Sequence, residues 1–384
     1  MYLIKNVEIN NMVTEKPFVS DVLIKDEKIE KIGQNLDPSD AIVIDGSDMK
    51  LFPGFIDAHT HLGLREAGIG FEGDDVNEVS SPLTPELLAI DGINPQDRTF
   101  DDAREAGITC VSSGPGSANV VGGQFCIIKT YGHKVDDMVI NPSHAMKIAF
   151  GENPKRVYKG FNKSPQTRLA VASELRNILV KAKRYMEMIE AAEGDIYKLP
   201  PYDNKLEALI PVLKKEIPLK AHAHRADDIF TAIRIAKEFD LDLTLDHCSD
   251  GHLIVDDLVK EGYPAIVGPT FGHKTKYETK NKTFETVGIL QRAGLKVAIM
   301  TDHPVIPVHY LPIMAGLSAK AGMDRFEALK AITINPAEIL GIADRVGTIE
   351  EGKDADLVLM TAHPFELDAK VEYTFVNGHI AYKS

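Results

Sequence analysis

The sequence predicts an α/β chain: a TIM-type (β/α)8 barrel in the middle, with a small β-sandwich domain assembled from both ends. Three observations predict it. Short apolar runs rich in β-branched residues recur eight times after Pro53. Amphipathic stretches separate several of these runs. The two ends share a different texture, of short strands and turns. Strand alternating with helix implies a parallel sheet, and eight such units are the number that closes a barrel.

Taken in order, LIKNVEI, DVLIKDEKIEKIG and AIVIDG carry alternating or β-branched apolar positions broken by Asn, Asp and Gly. The eight barrel runs follow: LFPGFIDAH, GITCVSSG, QFCIIKTYG, AMKIAFG, IPLKAHAH, LDLTLDH, PAIVGP and LKVAIMTDH. DDIFTAIRIAKEF and FETVGILQRAG read as intervening helices. Residues 151–216 carry no strand signal, and TRLAVASELRNILVKAKRYMEMIEAAE has a helical pattern with many charges. A connection this long is uncommon unless functional or locally structured. It reads as a helical insertion on the catalytic face or, equally, as an outer barrel helix with long flanks. Residues 325–343 look like a closing helix. GTIEEGKDADLVLM and KVEYTFVNGHIAYK are strands again, the second with an Asn377-Gly378 hairpin turn. The expected division is a barrel over 53–344 and a composite β domain from 1–52 and 345–384.

Composition narrows the function. Among 384 residues, 43 Lys+Arg stand against 57 Asp+Glu, a formal charge of −14. Phosphate backbones are bound by clustered cations, so nucleic acid is not the expected partner. No apolar run approaches the ~18 residues of a membrane span. The start lacks a basic segment before an apolar one, and three scattered cysteines suggest no disulfide framework. A cytoplasmic enzyme with a small-molecule substrate is the expectation.

The thirteen histidines carry the chemistry. His59 and His61 end one apolar run in DAHTHLG, and alternate strand residues share a face. His222 and His224 repeat the pattern in KAHAHRADD, His247 ends LTLDH, and Asp302 ends VAIMTDH. In a parallel barrel the strand ends form the active-site mouth. Imidazole and carboxylate there make a site of N and O donors for one or two divalent metal ions. Zn fits first, and Mn, Fe and Co suit the same donors. Such an ion lowers the pKa of bound water towards ~7, and a carboxylate beside it can carry a proton from that water to a leaving nitrogen.

These residues resemble the metal-dependent amidohydrolase superfamily, in its imidazolonepropionase- and prolidase-like branch. PGFIDAHTHLG is similar to the family's first-strand signature, and NPAEILGIADRVGTIEEGKDADLVLM to its closing segment. The resemblance implies hydrolysis of an amide, cyclic amide or dipeptide C–N bond by a metal-activated hydroxide. It implies His59, His61, His222, His247 and Asp302 as ligands, Asp302 doubling as general base and acid, and a homo-oligomer. Binuclear members add a bridging acid from the third or fourth strand. In AMKIAFGENPKR, Lys147 occupies the position of the prolidase-like lysine and, on strand parity, faces opposite to Met146, Ile148 and Phe150. Glu152, at the mouth end and already anionic, is preferred, and a mononuclear site using neither stays open. His224 is expected either to orient the carbonyl oxygen or to stand outside the site.

Other candidates are weaker. SSGPGSANVVGGQF is a Gly-rich mouth loop or anion cradle, bordered by Gln124 and Lys129 as substrate contacts. Arg168 offers a fork for a carboxylate, against the plainer reading of a surface ion pair. His273 and His309 follow the seventh and eighth strands and are candidate substrate contacts. His303 and Cys248 should point away from the metal. A deaminase on the same fold is the alternative, but HAHRADDI has no Glu after the histidine, so Asp227 or Asp228 would have to serve. A metal-free scaffold fits poorly with a complete ligand set.

Overall fold

The computed structural model describes residues 1–68 and 70–384. Eight strands form the central sheet in chain order: β6 (Phe55–Thr60), β7 (Ile108–Ser113), β8 (Val121–Lys129), β9 (Val139–Ala149), β10 (Leu219–Ala223), β11 (Leu243–His247), β12 (Ala265–Val267) and β13 (Val297–Ile299). The sheet curls until its ends meet. Asp302 N donates to His59 O (3.2 Å), and His61 N donates to His303 O (2.8 Å). All eight expected strands are present, and their side chains are buried apart from the first residues of β9.

The expectation of a wholly parallel sheet is corrected at one strand. β8 runs antiparallel to both β7 and β9. The reason is length. Residues 114–120 and 130–138 are all the chain between these strands, and a parallel crossover needs a dozen or more residues. The reversal puts Val121 at the mouth and Lys129 at the far end. The remaining ladders, β6 to β7 and β9 through β13, are parallel.

Between β9 and β10 lie helix Glu152–Gly160, the 24-residue helix Arg168–Ala191, and two short turns of helix. The long helix starts at Thr167, whose side chain accepts from Ala170 N (3.1 Å). It buries Val171, Leu175, Ile178, Leu179 and Ala182 in the same apolar core as the barrel strands. Glu152–Gly160 instead begins directly at the end of β9, beside the mouth. No helix among the described residues is long and apolar enough to cross a membrane.

The terminal strands are β1 (Tyr2–Ile9), β2 (Phe18–Lys25), β3 (Lys28–Gly33), β4 (Ile42–Asp45), β5 (Lys50–Pro53), β14 (Leu357–Met360), β15 (Val371–Val376) and β16 (His379–Lys383). They form a separate sheet in the order β16-β15-β14-β5-β1-β2-β3, with β4 also on β1. Residues from both ends share one core, including Ile4, Val22, Leu51, Leu357 and Phe375. The hairpin β15–β16 turns at Asn377 (φ 47°) and Gly378 (φ 71°), the left-handed pair a two-residue hairpin needs.

Lys129 joins the two sheets and is corrected as a substrate contact. Its ammonium sits 2.7 Å from Asp356 and 3.1 Å from Asp354, all three almost fully buried. Burial opposes the charged lysine, but the carboxylates outweigh it and hold its pKa above the ordinary value. Lys129→Met leaves buried carboxylates short of a cation and is expected to cost about 3–5 kcal/mol. Chemical denaturation checks this; a change within ~0.5 kcal/mol would show that Arg345 and Lys28, also paired with Asp354, suffice.

Candidate metal centre

The ends of four strands deliver the donors. His59 lies in β6 with His61 just beyond it; His222 lies in β10 with His224 just beyond; His247 ends β11; and Asp302 follows β13. His59, His61 and Asp302 form one group of mutually close ligand atoms, and His222, His224 and His247 a second, all within 4.8 Å inside each group. The groups adjoin: the ring centres of His59 in the first and His247 in the second are 5.4 Å apart. Asp302 Oδ1 is 3.2 Å from His61 Nε2 and 3.5 Å from His59 Nε2. The backbone is left-handed at His247 (φ 70°), Cys248 (φ 47°) and Asp302 (φ 54°). Such non-glycine positions persist where surrounding structure enforces them, often at functional sites.

The hydrogen bonds leave nitrogens free for a cation. His61 Nδ1 donates to Gly114 O (2.6 Å), and His247 Nδ1 to Gly268 O (2.8 Å), which directs the Nε2 lone pairs to the centre. His59 Nδ1 is bound to Asp246 Oδ2 (2.5 Å). Among the described residues, His247 Nε2 and His222 Nδ1 are buried with no hydrogen-bond partner. A buried polar atom left unpaired costs about 1–3 kcal/mol, so two on facing histidines fit a metal site. Burial above all holds His59, His222, His224 and His247 well below the ordinary histidine pKa, in the neutral form that ligates.

Lys147 and Glu152 part ways here. Lys147 Nζ is buried 3.1 Å from His59 Nε2 and 5.3 Å from the Phe125 ring centre. Burial lowers its pKa to about 8, against the pull of Asp246 and Asp302. The preferred Glu152 does not turn inward. Its Oε2 accepts from Glu278 N (3.1 Å), and its own N donates to Glu278 Oε2 (2.8 Å), so the two brace the start of its helix against the loop after β12.

The other candidates are spread out. His224 stands inside the second group, Nδ1 on Ser249 Oγ (2.8 Å). Gln124 faces away from the centre, its amide on Pro85 O and Ser143, because the next residue, Phe125, turns inward against His59. Arg168 is committed to Asp228 through Nε (2.9 and 3.0 Å). His273 is exposed on its loop, and His309 packs on Tyr310 with ring centres 4.3 Å apart. Cys248 is buried, as expected, and burial pushes its thiol up to about 12.

Sequence reasoning missed the residues behind the ligands. Asp246 binds His59 and is held by Lys220 Nζ (3.0 Å) and Thr244 Oγ1 (3.0 Å). Asp57 accepts from Thr301 N (3.0 Å) and Oγ1 (2.6 Å), tying the end of β13 to β6 and so seating Asp302. A signal existed: Asp57, Lys220 and Asp246 are charges inside apolar strands, and a buried charge must be paired. Asp246→Asn is expected to weaken metal binding about 10–100-fold by loosening His59. Titration against a chelator measures it, and wild-type affinity would mean His59 needs no such support.

Donor clusters that could hold metal ions thus stand at the strand ends of a barrel flanked by a terminal β domain. The chain belongs to the amidohydrolase family, whose model matches residues 51–381, and is an enzyme acting on carbon–nitrogen bonds. It is 41% identical to an amidohydrolase from Thermotoga maritima MSB8 of known crystal structure, with a TM-score of 0.97 and both chains fully covered. It is 28% identical to amidohydrolase tasK of Hapsidospora irregularis over 94% of this chain, which spans 40% of that relative's length. Over 98 residues it is 40% identical to imidazolonepropionase of Thermoplasma acidophilum, covering 23% of this chain and 24% of that one.

Proposed function

We propose that this chain hydrolyses an amide, cyclic amide or dipeptide C–N bond with a divalent metal, preferably Zn, and Asp302 as general base and then acid. One observation carries the reading: Asp302 Oδ1 sits among the histidine nitrogens, 3.2 Å from His61 Nε2, while His222 Nδ1 and His247 Nε2 have no hydrogen-bond partner among the described residues. His59, His61 and Asp302 would hold one ion and His222 and His247 a second; Lys147, its amine 3.1 Å from His59 Nε2, would add an acidic oxygen donor once carboxylated by dissolved CO2 with loss of a proton. A bound ion supplies water acidified towards pKa ~7 and polarises the substrate carbonyl.

The chain's own residues do the rest. Asp302 takes the proton as the water oxygen bonds to the carbonyl carbon. It returns that proton to the nitrogen as the C–N bond breaks. His224, if its Nδ1 accepts from Ser249 Oγ, presents an Nε2–H donor to the carbonyl oxygen. A deaminase finds less support. Asp227 pairs with Arg225 (2.8 Å) and Asp228 with Arg168 (2.9 Å), so neither acid is free beside the histidines.

Elemental analysis of the purified chain and of His59→Ala, with a hydrolysis screen of dipeptides, N-acyl amino acids and cyclic ureides, tests this. Near two ions per wild-type chain, fewer in the variant, and turnover in one substrate class are expected. A chain that takes up no metal after reconstitution would overturn the reading.

A further inference from the structure

Glu278 sits on the loop after β12, 1% exposed, yet its Oε1 has no hydrogen-bond partner among the described residues. Its other oxygen is fixed on Glu152 N (2.8 Å), so Oε1 is aimed rather than wandering. It is aimed between His222 Nε2 and His224 Nε2, 3.9 Å from each. The approach is built into the backbone. Gly151 (φ 82°) passes beneath, and a Cβ there would lie 2.6 Å from Glu278 Oε2. Lys276 Nζ lies 3.6 Å from Oε1, an ion pair longer than a hydrogen bond, and donates to Asn153 Oδ1 at 2.8 Å. Lys276 is partly exposed at the rim.

A buried carboxylate oxygen that accepts no hydrogen bond, with its lysine partner held off at 3.6 Å, can take a closer cationic donor. From these observations we infer that Glu278 forms a subsite for an ammonium group of the substrate, which selects α-aminoacyl amides and dipeptides with a free amine. The inference rests on the amide-hydrolase reading above. An α-nitrogen is two bonds from the carbonyl carbon, so a carbonyl oxygen on His224 Nε2 would bring it within reach of Glu278 Oε1, 3.9 Å from that imidazole nitrogen. The ammonium donates to Oε1, and Lys276 keeps its hold on Asn153. A cyclic or N-acylated substrate offers no cation there and leaves the carboxylate unpaired.

The probes are L-leucinamide and N-acetyl-L-leucinamide, bound to the zinc-reconstituted full chain and followed by calorimetry at pH 7, where an α-amino group is largely protonated. The free amine is expected to bind at least tenfold tighter. In Glu278→Gln, which keeps the acceptor for Glu152 N, that preference is expected to vanish while zinc content and affinity for the acetylated probe stay unchanged. Equal affinities in the wild type, or a preference that survives the substitution, overturn the subsite. Parallel loss of zinc and of both probes would reveal a bracing role and overturn it as well. Lys276→Met, which removes the competing cation, is expected to tighten leucinamide binding several-fold, and unchanged or weaker binding counts against the subsite. Failure of the amide-hydrolase reading is seen separately, in the metal content and the substrate screen of the wild type.

Discussion

Asp302→Asn is expected to fold, to keep its histidines in place, and to lose about 10²–10⁴-fold in kcat/KM, the range removed with a general base. The fold should survive because Asp302 has a left-handed backbone (φ 54°), which Asn tolerates as readily as Asp. Its backbone N–H, on His59 O, is untouched. Asn also keeps an oxygen that can face His61 Nε2. What it lacks is a basic oxygen to receive a proton and pass it on. Steady-state kinetics normalised to bound metal separates this loss from a loss of ligand. Wild-type turnover per bound ion would refute the role of Asp302.

The barrel strands and the histidines were readable because each depends on local pattern. An apolar run ending in a polar, metal-competent residue is visible in any single strand, and four strands repeat it. The direction of β8 was misjudged because QFCIIKTYG looks the same read as a parallel or an antiparallel strand. Only its short connections distinguish the two, and they were there to be measured. That reversal also explains Lys129: taken for the mouth, it lies at the closed end, bound to Asp354 and Asp356. Gln124 was named only because it borders the Gly-rich loop; its side chain turns to Pro85 and Ser143 while Phe125 is the inward one.

Residues on loops were harder. Glu278 stands far from His222 in the chain, and only the folded loop brings it to the histidines. Arg168 and Asp228 are similar: each is an ordinary helix charge in sequence, and their mutual bond exists only because the helices Arg168–Ala191 and Ala226–Phe239 pack together.

Lys147 and Glu152 give the second large expected effect, because the two readings of the bridging group now predict opposite outcomes. Lys147→Ala is expected to lower bound metal from near two ions to one or fewer, and to cut turnover by more than the ~10–100-fold of an outer partner. The fold should tolerate the change. A buried amine is costly to desolvate, and the facing carboxylate of Asp246 retains Lys220 at 3.0 Å. Glu152→Ala should leave metal content unchanged, because its carboxylate is already occupied by Glu278 N. Its loss is one of stability, about 1–3 kcal/mol for a charge-accepting hydrogen bond. The decisive quantity is metal per chain in the two variants, measured after the same reconstitution with bicarbonate present. A wild-type count in Lys147→Ala with a reduced count in Glu152→Ala would return the bridge to the glutamate. Unchanged counts in both would leave the histidines and Asp302 as the whole ligand set, for then neither the amine 3.1 Å from His59 nor the mouth carboxylate contributes to holding the ion.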